Sequence, residues 1–253
     1  MKEGDLFMKR FLFVLFSLLS LLVFWQVLST FSGYPSFILP SPALVAERAV
    51  RAWEHGKLWG HILTTLSETM SGFFVSGFIA CSLAYTASEY SHVRYILSPY
   101  LIAIQSIPIL AVAPLLMIWF GNGYQTKVLI AAVVAFLPMF AAALEAFGSL
   151  DRLLLLDMQA LGGSRWQTFS KLKLPAALPG ILSGLRVGLS LSLMGAVVGE
   201  FIGAQQGLGY LINAGKGVLD TPLVFVAIIS LVGLGLALYG AISLVSRVLV
   251  RLR

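Results

Sequence analysis

The chain has 253 residues, 58% hydrophobic and only 11% charged, with a mean hydropathy of +0.92. A soluble domain carries about 25% charged residues, so this composition excludes one and describes a polytopic membrane protein that reads as a single unit. The net charge of +6 does not point to nucleic acid, because the basic residues sit at the ends of apolar runs and form no stripe among aromatics.

A spanning helix needs about 20 mainly apolar residues. The first run, 11–31, follows Lys9 and Arg10. It is long, and no small-residue cleavage site with a soluble domain follows it, so it reads as a retained anchor rather than a signal peptide. Residues 41–58 then predict an amphipathic helix started by Ser41 and Pro42, lying in the outer interface or lidding the bundle. The second span, about 62–87, carries a small-residue ladder of Gly72, Ser76, Ala80 and Ala84, with Glu68 near its start and the lone Cys81 within it. That thiol has no partner for an intrachain disulfide and reads as core packing.

The third span, about 95–120, is interrupted by Pro99, Pro108 and Pro114. Each removes a backbone donor and kinks a helix. Gln105 and Ser106, just before Pro108, suit either a translocation path or a kink whose polar groups are locally satisfied. The fourth span is about 126–147. A polar loop at about 148–175 follows, read as a helix over 148–161, a break at Gly162–Gly163, and a second helix capped by Ser164 that Pro175 stops as span five begins.

Span five, about 177–199, has Gly180, Gly184, Gly188, Ser192 and Ala196 at every fourth position, which keeps them on one slowly drifting face. Arg186 lies inside it and predicts a backbone carbonyl or polar side chain as partner. Glu200 ends it and, like Glu68, reads as an interfacial acid that meets water. Span six, about 222–246, carries Gly233, Ala237 and Ala241.

Six spans put both termini on one side. On that side stand eleven Lys and Arg residues, including Arg152, Arg165, Lys171 and Lys173. On the other are five: Arg48, Arg51, Lys57, Lys127 and Lys216. The excess places both termini and the 148–175 loop in the cytoplasm.

Catalytic signatures are missing. No phosphate-binding loop occurs, no H-E-x-x-H, and no G-x-S-x-G elbow; the three histidines, His55, His61 and His92, lack metal-ligand spacing. The chain therefore reads as no enzyme and no metalloprotein. A stand-alone secondary transporter predicts inverted repeats and mid-membrane charge pairs, and neither is legible.

One stretch carries more. Gly162 is followed by nine residues and then by Leu172, Lys173, Leu174 and Pro175. This resembles the coupling-loop motif of ABC importer permeases: Glu-Ala-Ala, three residues, Gly, nine residues, Ile-x-Leu-Pro. Leu156, Asp157 and Met158 stand where the triplet would be, with Asp157 one position out of register. Ser164, Arg165 and Trp166 continue the pattern. Residues 107–123, IPILAVAPLLMIWFGNG, and 199–212, GEFIGAQQGLGYLI, are similar to segments of permeases for nitrate, sulfonates, taurine and pyrimidines. TLSETMSGF with Gln105 and Ser106 is similar to the branch that imports thiamine-precursor pyrimidines or riboflavin.

The resemblance implies an all-α integral membrane fold of the type I importer permease class. It implies one permease domain over 1–253, with six transmembrane helices around a core of about 62–246 and a cytoplasmic helix–turn–helix. A second copy of the chain, cytoplasmic ATPase subunits and an extracytoplasmic solute-binding protein would be its partners in the cell (inner) membrane. ATP and Mg would be held by the ATPase, not by this chain. Asp157, Gln159, Gly162, Ser164, Arg165, Trp166, Leu174 and Pro175 would meet that ATPase. Glu68, Gln105, Ser106, Pro108 and Arg186 are the expected path residues.

Overall fold

The computed structural model describes residues 2–54 and 57–251, with side chains throughout except at residues 2–11, 57, 91, 98, 102, 105, 106, 152, 250 and 251. Among the described residues every regular element is helical. The chain divides into two compact units. One is Met1–Trp59 with Leu211–Ile229, the other Gly60–Tyr210 with Ser230–Arg253.

The first unit holds α1 (Lys2–Phe31) and α2 (Pro42–Glu54) with the chain around Asp220. The amphipathic helix expected over 41–58 is α2. Ser41 Oγ accepts from the Leu44 amide, and Val45 and Ala52 are its buried positions. Arg48 pairs with Asp220 at 2.8 Å, while the Asp220 Oδ1 atom accepts from the Leu223 amide. The Trp25 ring stacks on Phe225 and donates its indole N–H to the Pro40 carbonyl.

The second unit holds most of α3 (Lys57–Glu89), then α4 (Ser91–Ser106), α5 (Ile109–Phe120), α6 (Tyr124–Gly148) and α7 (Arg152–Ala160). These are followed by α8 (Arg165–Thr168), a π-helical turn (Phe169–Lys173), α9 (Leu174–Gly203), the start of α10 (Leu208–Gly217) and the end of α11 (Thr221–Arg251). Five helices among the described residues are long and apolar enough to cross a membrane. The expected third span is not a sixth such rod. It is broken at Pro108 into α4 and the 12-residue α5. Pro99 and Pro114 lie inside their helices without ending them. Pro108 ends one because Ile107 before it is extended (φ −88°, ψ 120°), the conformation that a following proline ring favours.

The ladder on α9 packs against α6. A Cβ on Gly180, Gly184 or Gly188 would fall 2.6 Å or less from Ala146, Ala142 and Met139. Small residues let the two backbones approach, and in lipid that close contact is itself the driving force. The α3 ladder joins the same core, with Ser76, Ala80 and Ala84 at most 1% exposed. The α11 ladder does not: Gly233, Ala237 and Ala241 are all exposed.

Two expectations about the polar loop are corrected. The helix read over 148–161 begins only at Arg152, because α6 runs to Gly148 and Asp151 caps a new helix by accepting from the Leu153 amide. Pro175 does not stop a helix. From Arg165 to Gly203 the chain is helical throughout, with the π-turn just before the proline. The wider turn shifts the Leu174 amide onto the Phe169 carbonyl, so Pro175 enters the first turn of α9, where a missing N–H is tolerated.

Candidate functional site

The helix–turn–helix is built by its own backbone bonds. α7 ends in a Schellman arrangement, the Gly163 amide donating to the Met158 carbonyl at 2.9 Å and the Gly162 amide to Gln159 at 3.0 Å. Gly162 takes φ +72° there with no atom within 4 Å of a Cβ. The requirement is therefore conformational, not steric. Ser164 then opens α8 with a capping box: its Oγ accepts from the Gln167 amide, and Gln167 Oε1 accepts from the Ser164 amide at 2.8 Å. One helix stops and the next starts within four residues.

That geometry sorts the sequence-predicted residues. Gly162 and Ser164 make the turn. Asp157 and Gln159 are exposed on α7, Arg165 is exposed on α8, and Trp166 is 72% exposed with Leu161 at 83%. Leu174 and Pro175 lie at the base, in the first turn of α9. The anchors were missed by the sequence reading. The Phe169 ring packs on Tyr85 at 4.7 Å, and Lys173 forms an ion pair with Glu89, both partners on the last turns of α3. A cavity of about 480 Å³, lined by Gln159, Arg165, Tyr85 and Glu89 among others, lies beneath the turn.

The opposite end of α9 holds a buried charge cluster. Glu68 and Glu200 are each 1% exposed and Lys127 7%, so neither acid is the wet interfacial group that its position in the sequence suggests. Lys127 Nζ lies 3.4 Å from Glu68 Oε1. This is a charge pair within a spanning bundle, which the sequence reading did not find, and it removes Lys127 from the loop cations. Glu200 is near enough to Glu68 and Lys127 to feel their charge, while Glu68 Oε2 is buried with no hydrogen-bond partner. Glu200 is held further by the Thr65 hydroxyl (2.6 Å) and the Gly209 amide (2.7 Å), while the Leu208 amide donates to Thr65 Oγ1. The Gly207 amide donates to His61 Nδ1 at 2.9 Å.

Those bonds explain the 207–209 Gly-Leu-Gly run. Gly207 has φ +112°, and a Cβ there would lie 2.1 Å from the Glu200 carboxyl carbon. Only a residue without a side chain lets the chain close over the buried acid. Beside the cluster is a polar cavity of about 510 Å³, lined by Glu68, Lys127, Asn122, Tyr124 and Gln206 among others. The Tyr124 hydroxyl donates to the Ser67 carbonyl and pairs with Ser71 Oγ, tying α6 to α3.

The expected path residues do not converge. Arg186 and Glu200 share α9 but are separated by about 21 Å of helix rise. Arg186 donates to Ser246 Oγ on α11, a polar side-chain partner of the expected kind. That contact sets it level with the last two turns of α11 rather than deep in the bundle. Pro108 marks the α4–α5 break. The side chains of Gln105 and Ser106 lie outside the described residues.

Residues 72–251 match the family described as the binding-protein-dependent transport system inner membrane component. The chain belongs to that family. This permease is 47% identical to the riboflavin transport system permease protein RibX of Chloroflexus aurantiacus over 235 residues, 93% of this chain and 88% of that one. It is 31% identical to the formylaminopyrimidine transport permease protein ThiX of Halalkalibacterium halodurans, covering 91% of this chain and 92% of that one. It is also 31% identical to the taurine transport system permease protein TauC of Escherichia coli, covering 82% and 78%. Its fold matches the MetNI methionine ABC transporter in an inward-facing conformation, with TM-score 0.63 at 20% identity over 76% of this chain and 93% of that one. The permease is thus an ABC importer membrane subunit of the type I class, a multi-pass protein of a family that transports rather than catalyses. Membership implies ATPase and solute-binding partners.

Proposed function

We propose that two copies of this permease form the membrane pathway of an ATP-driven importer for riboflavin. The observation that carries the solute assignment is the 47% identity over 93% of the chain to a riboflavin permease, against 31% to the pyrimidine and taurine permeases. The two copies would place both termini and the helix–turn–helix in the cytoplasm. The positive-inside count supports this orientation more strongly once Lys127 is taken out of the outer loops.

An ATPase subunit would dock on residues 150–172, against Asp157, Gln159, Arg165 and Trp166. Exposed Leu153, Leu156, Leu161 and Trp166 on one short helix–turn–helix support this, since apolar side chains clustered at a polar surface mark a partner site. ATP and Mg would be bound in that ATPase. Closure of the ATPases would move the two helix–turn–helix units together and turn the pathway outward, toward a solute-loaded binding protein. Glu68, Gln105, Ser106 and Pro108 would flank the route. The 510 Å³ polar cavity beside Glu68 would be its outer vestibule.

The test is uptake into proteoliposomes that hold the permease with its co-expressed ATPase and binding protein. Radiolabelled riboflavin is expected to accumulate only with MgATP inside the ATPase compartment. Accumulation of formylaminopyrimidine or taurine in its place would overturn the solute assignment and leave the importer. ATP-independent uptake would overturn the importer.

A further inference from the structure

The surroundings of Arg186 lack the counter-charge that a guanidinium away from water needs. Its Nη2 donates to Ser246 Oγ, whose own proton goes to the Ser243 carbonyl. Its Nε is buried with no hydrogen-bond partner. Among the described residues no carboxylate forms an ion pair with it. A cavity of about 500 Å³ opens beside it, lined by Arg186, Tyr239, Gly240, Ser243, Leu244 and Arg247. That volume falls within the range of about 300–1,000 Å³ typical of ligand clefts.

The wall has one electrostatic sign. Both charged residues on it are arginines, and Tyr239 and Ser243 add hydroxyl groups. Residues 239, 240, 243, 244 and 247 follow the spacing that keeps side chains on one face of a helix, so α11 presents this set as a strip toward Arg186. Arg247 is exposed and completes the strip near the helix end. A planar guanidinium with a free N–H beside a second arginine and hydroxyl donors matches an oxyanion with several acceptor oxygens.

We propose that Arg186 and Arg247 form a binding site for a phosphate oxyanion, supplied by the headgroup of an anionic phospholipid in the leaflet on the helix–turn–helix side. A basic pocket between spanning helices near a membrane surface has the chemistry for such headgroups. The site goes beyond the transport reading and does not depend on which solute is carried.

The experiment uses the purified permease complex in nanodiscs of phosphatidylcholine with or without phosphatidylglycerol. Retained lipid is read by mass spectrometry and stability by thermal unfolding. Wild type is expected to enrich phosphatidylglycerol and to unfold at higher temperature in its presence. Arg186→Gln and Arg247→Gln should each lower retention about fivefold, and Arg186→Lys should lower it less. Arg247 is exposed, so its variant keeps the test open if Arg186→Gln folds poorly. A third arm adds inorganic phosphate to phosphatidylglycerol-free discs. Stabilisation there equal to that from the lipid, and lost in Arg247→Gln, would overturn the lipid source and keep the oxyanion site. Equal retention by wild type and Arg247→Gln, with no response to phosphate, would overturn the site.

Discussion

The two ends of α9 solve opposite problems. At Glu200 the charges are turned inward and held by Lys127 through Glu68, the Thr65 hydroxyl and the Gly209 amide, with Glu68 Oε2 left buried and unpartnered. At Arg165–Lys173 the polar groups are spent on the local backbone, through the Ser164–Gln167 box and the Gly162–Gly163 turn. Leu161 and Trp166 are left outward, beside the exposed Asp157, Gln159 and Arg165. The first end buries its charge within one chain, and the second leaves apolar side chains at its surface. Buried charge here is neutralised among this chain's own helices, whereas the exposed apolar side chains are those that the proposed ATPase contact would cover.

The strongest way to break that contrast is at Lys127. Lys127→Met removes the ammonium and leaves Glu68 and Glu200 buried without a cation. We expect a loss of about 3–5 kcal/mol, read as a lowered Tm in detergent. Adding Glu68→Leu should recover part of it, since an apolar replacement for a buried pair is often tolerated. No recovery in the double variant would mean that the cluster does more than close the bundle.

Gly207→Ala should cost about 2–4 kcal/mol, combining strained backbone with a Cβ forced against the Glu200 carboxyl. Thermal unfolding measures it, and a neutral substitution would refute the tight closure over the acid.

At the other end stability should hardly change while assembly does. Trp166→Ala exposes less apolar surface in the lone chain but should weaken ATPase capture by about 2 kcal/mol or more, roughly thirtyfold. Pull-down titration with the ATPase reads this directly. Undiminished capture would place the docking surface elsewhere.

Gly162→Asp sharpens the comparison with the smallest structural disturbance. Open space surrounds the position, so only the left-handed backbone conformation is taxed, by about 1 kcal/mol. The bundle should fold, and ATP hydrolysis should no longer drive uptake. Coupled transport by this variant would count against the coupling role of the turn.

These two ends were not equally legible in the sequence. The turn was readable because its devices are local. A glycine, a Ser cap and a following helix lie within a few residues, and their spacing survives in one dimension. The every-fourth-residue ladder on α9 was readable for the same reason, and its packing partner on α6 is itself rich in alanine. The charge cluster comes from three helices, α3, α6 and α9. Each member taken singly resembles an ordinary group near a membrane surface, and nothing in the order of residues announces that Lys127 meets Glu68. Prolines misled in both directions. Pro99 and Pro114 carry the same signal as Pro108, but only Pro108 ends a helix, and Pro175 is absorbed by a π-turn that no spacing rule reports.

That absorbed proline has a mechanical consequence. Helix α8, the π-turn and α9 contain 4, 5 and 30 residues, which at about 1.5 Å per residue make an unbroken path of roughly 58 Å. One tip carries Trp166 and the other Glu200. Treated as a lever pivoting at its midpoint, a tilt of about 5° displaces each tip by roughly 2.5 Å, close to the diameter of a water molecule. Between the tips lie the π-turn and Pro179 inside α9, the points at which such a helix bends, so how much of a displacement at the Trp166 tip reaches the sealed carboxylate is set there.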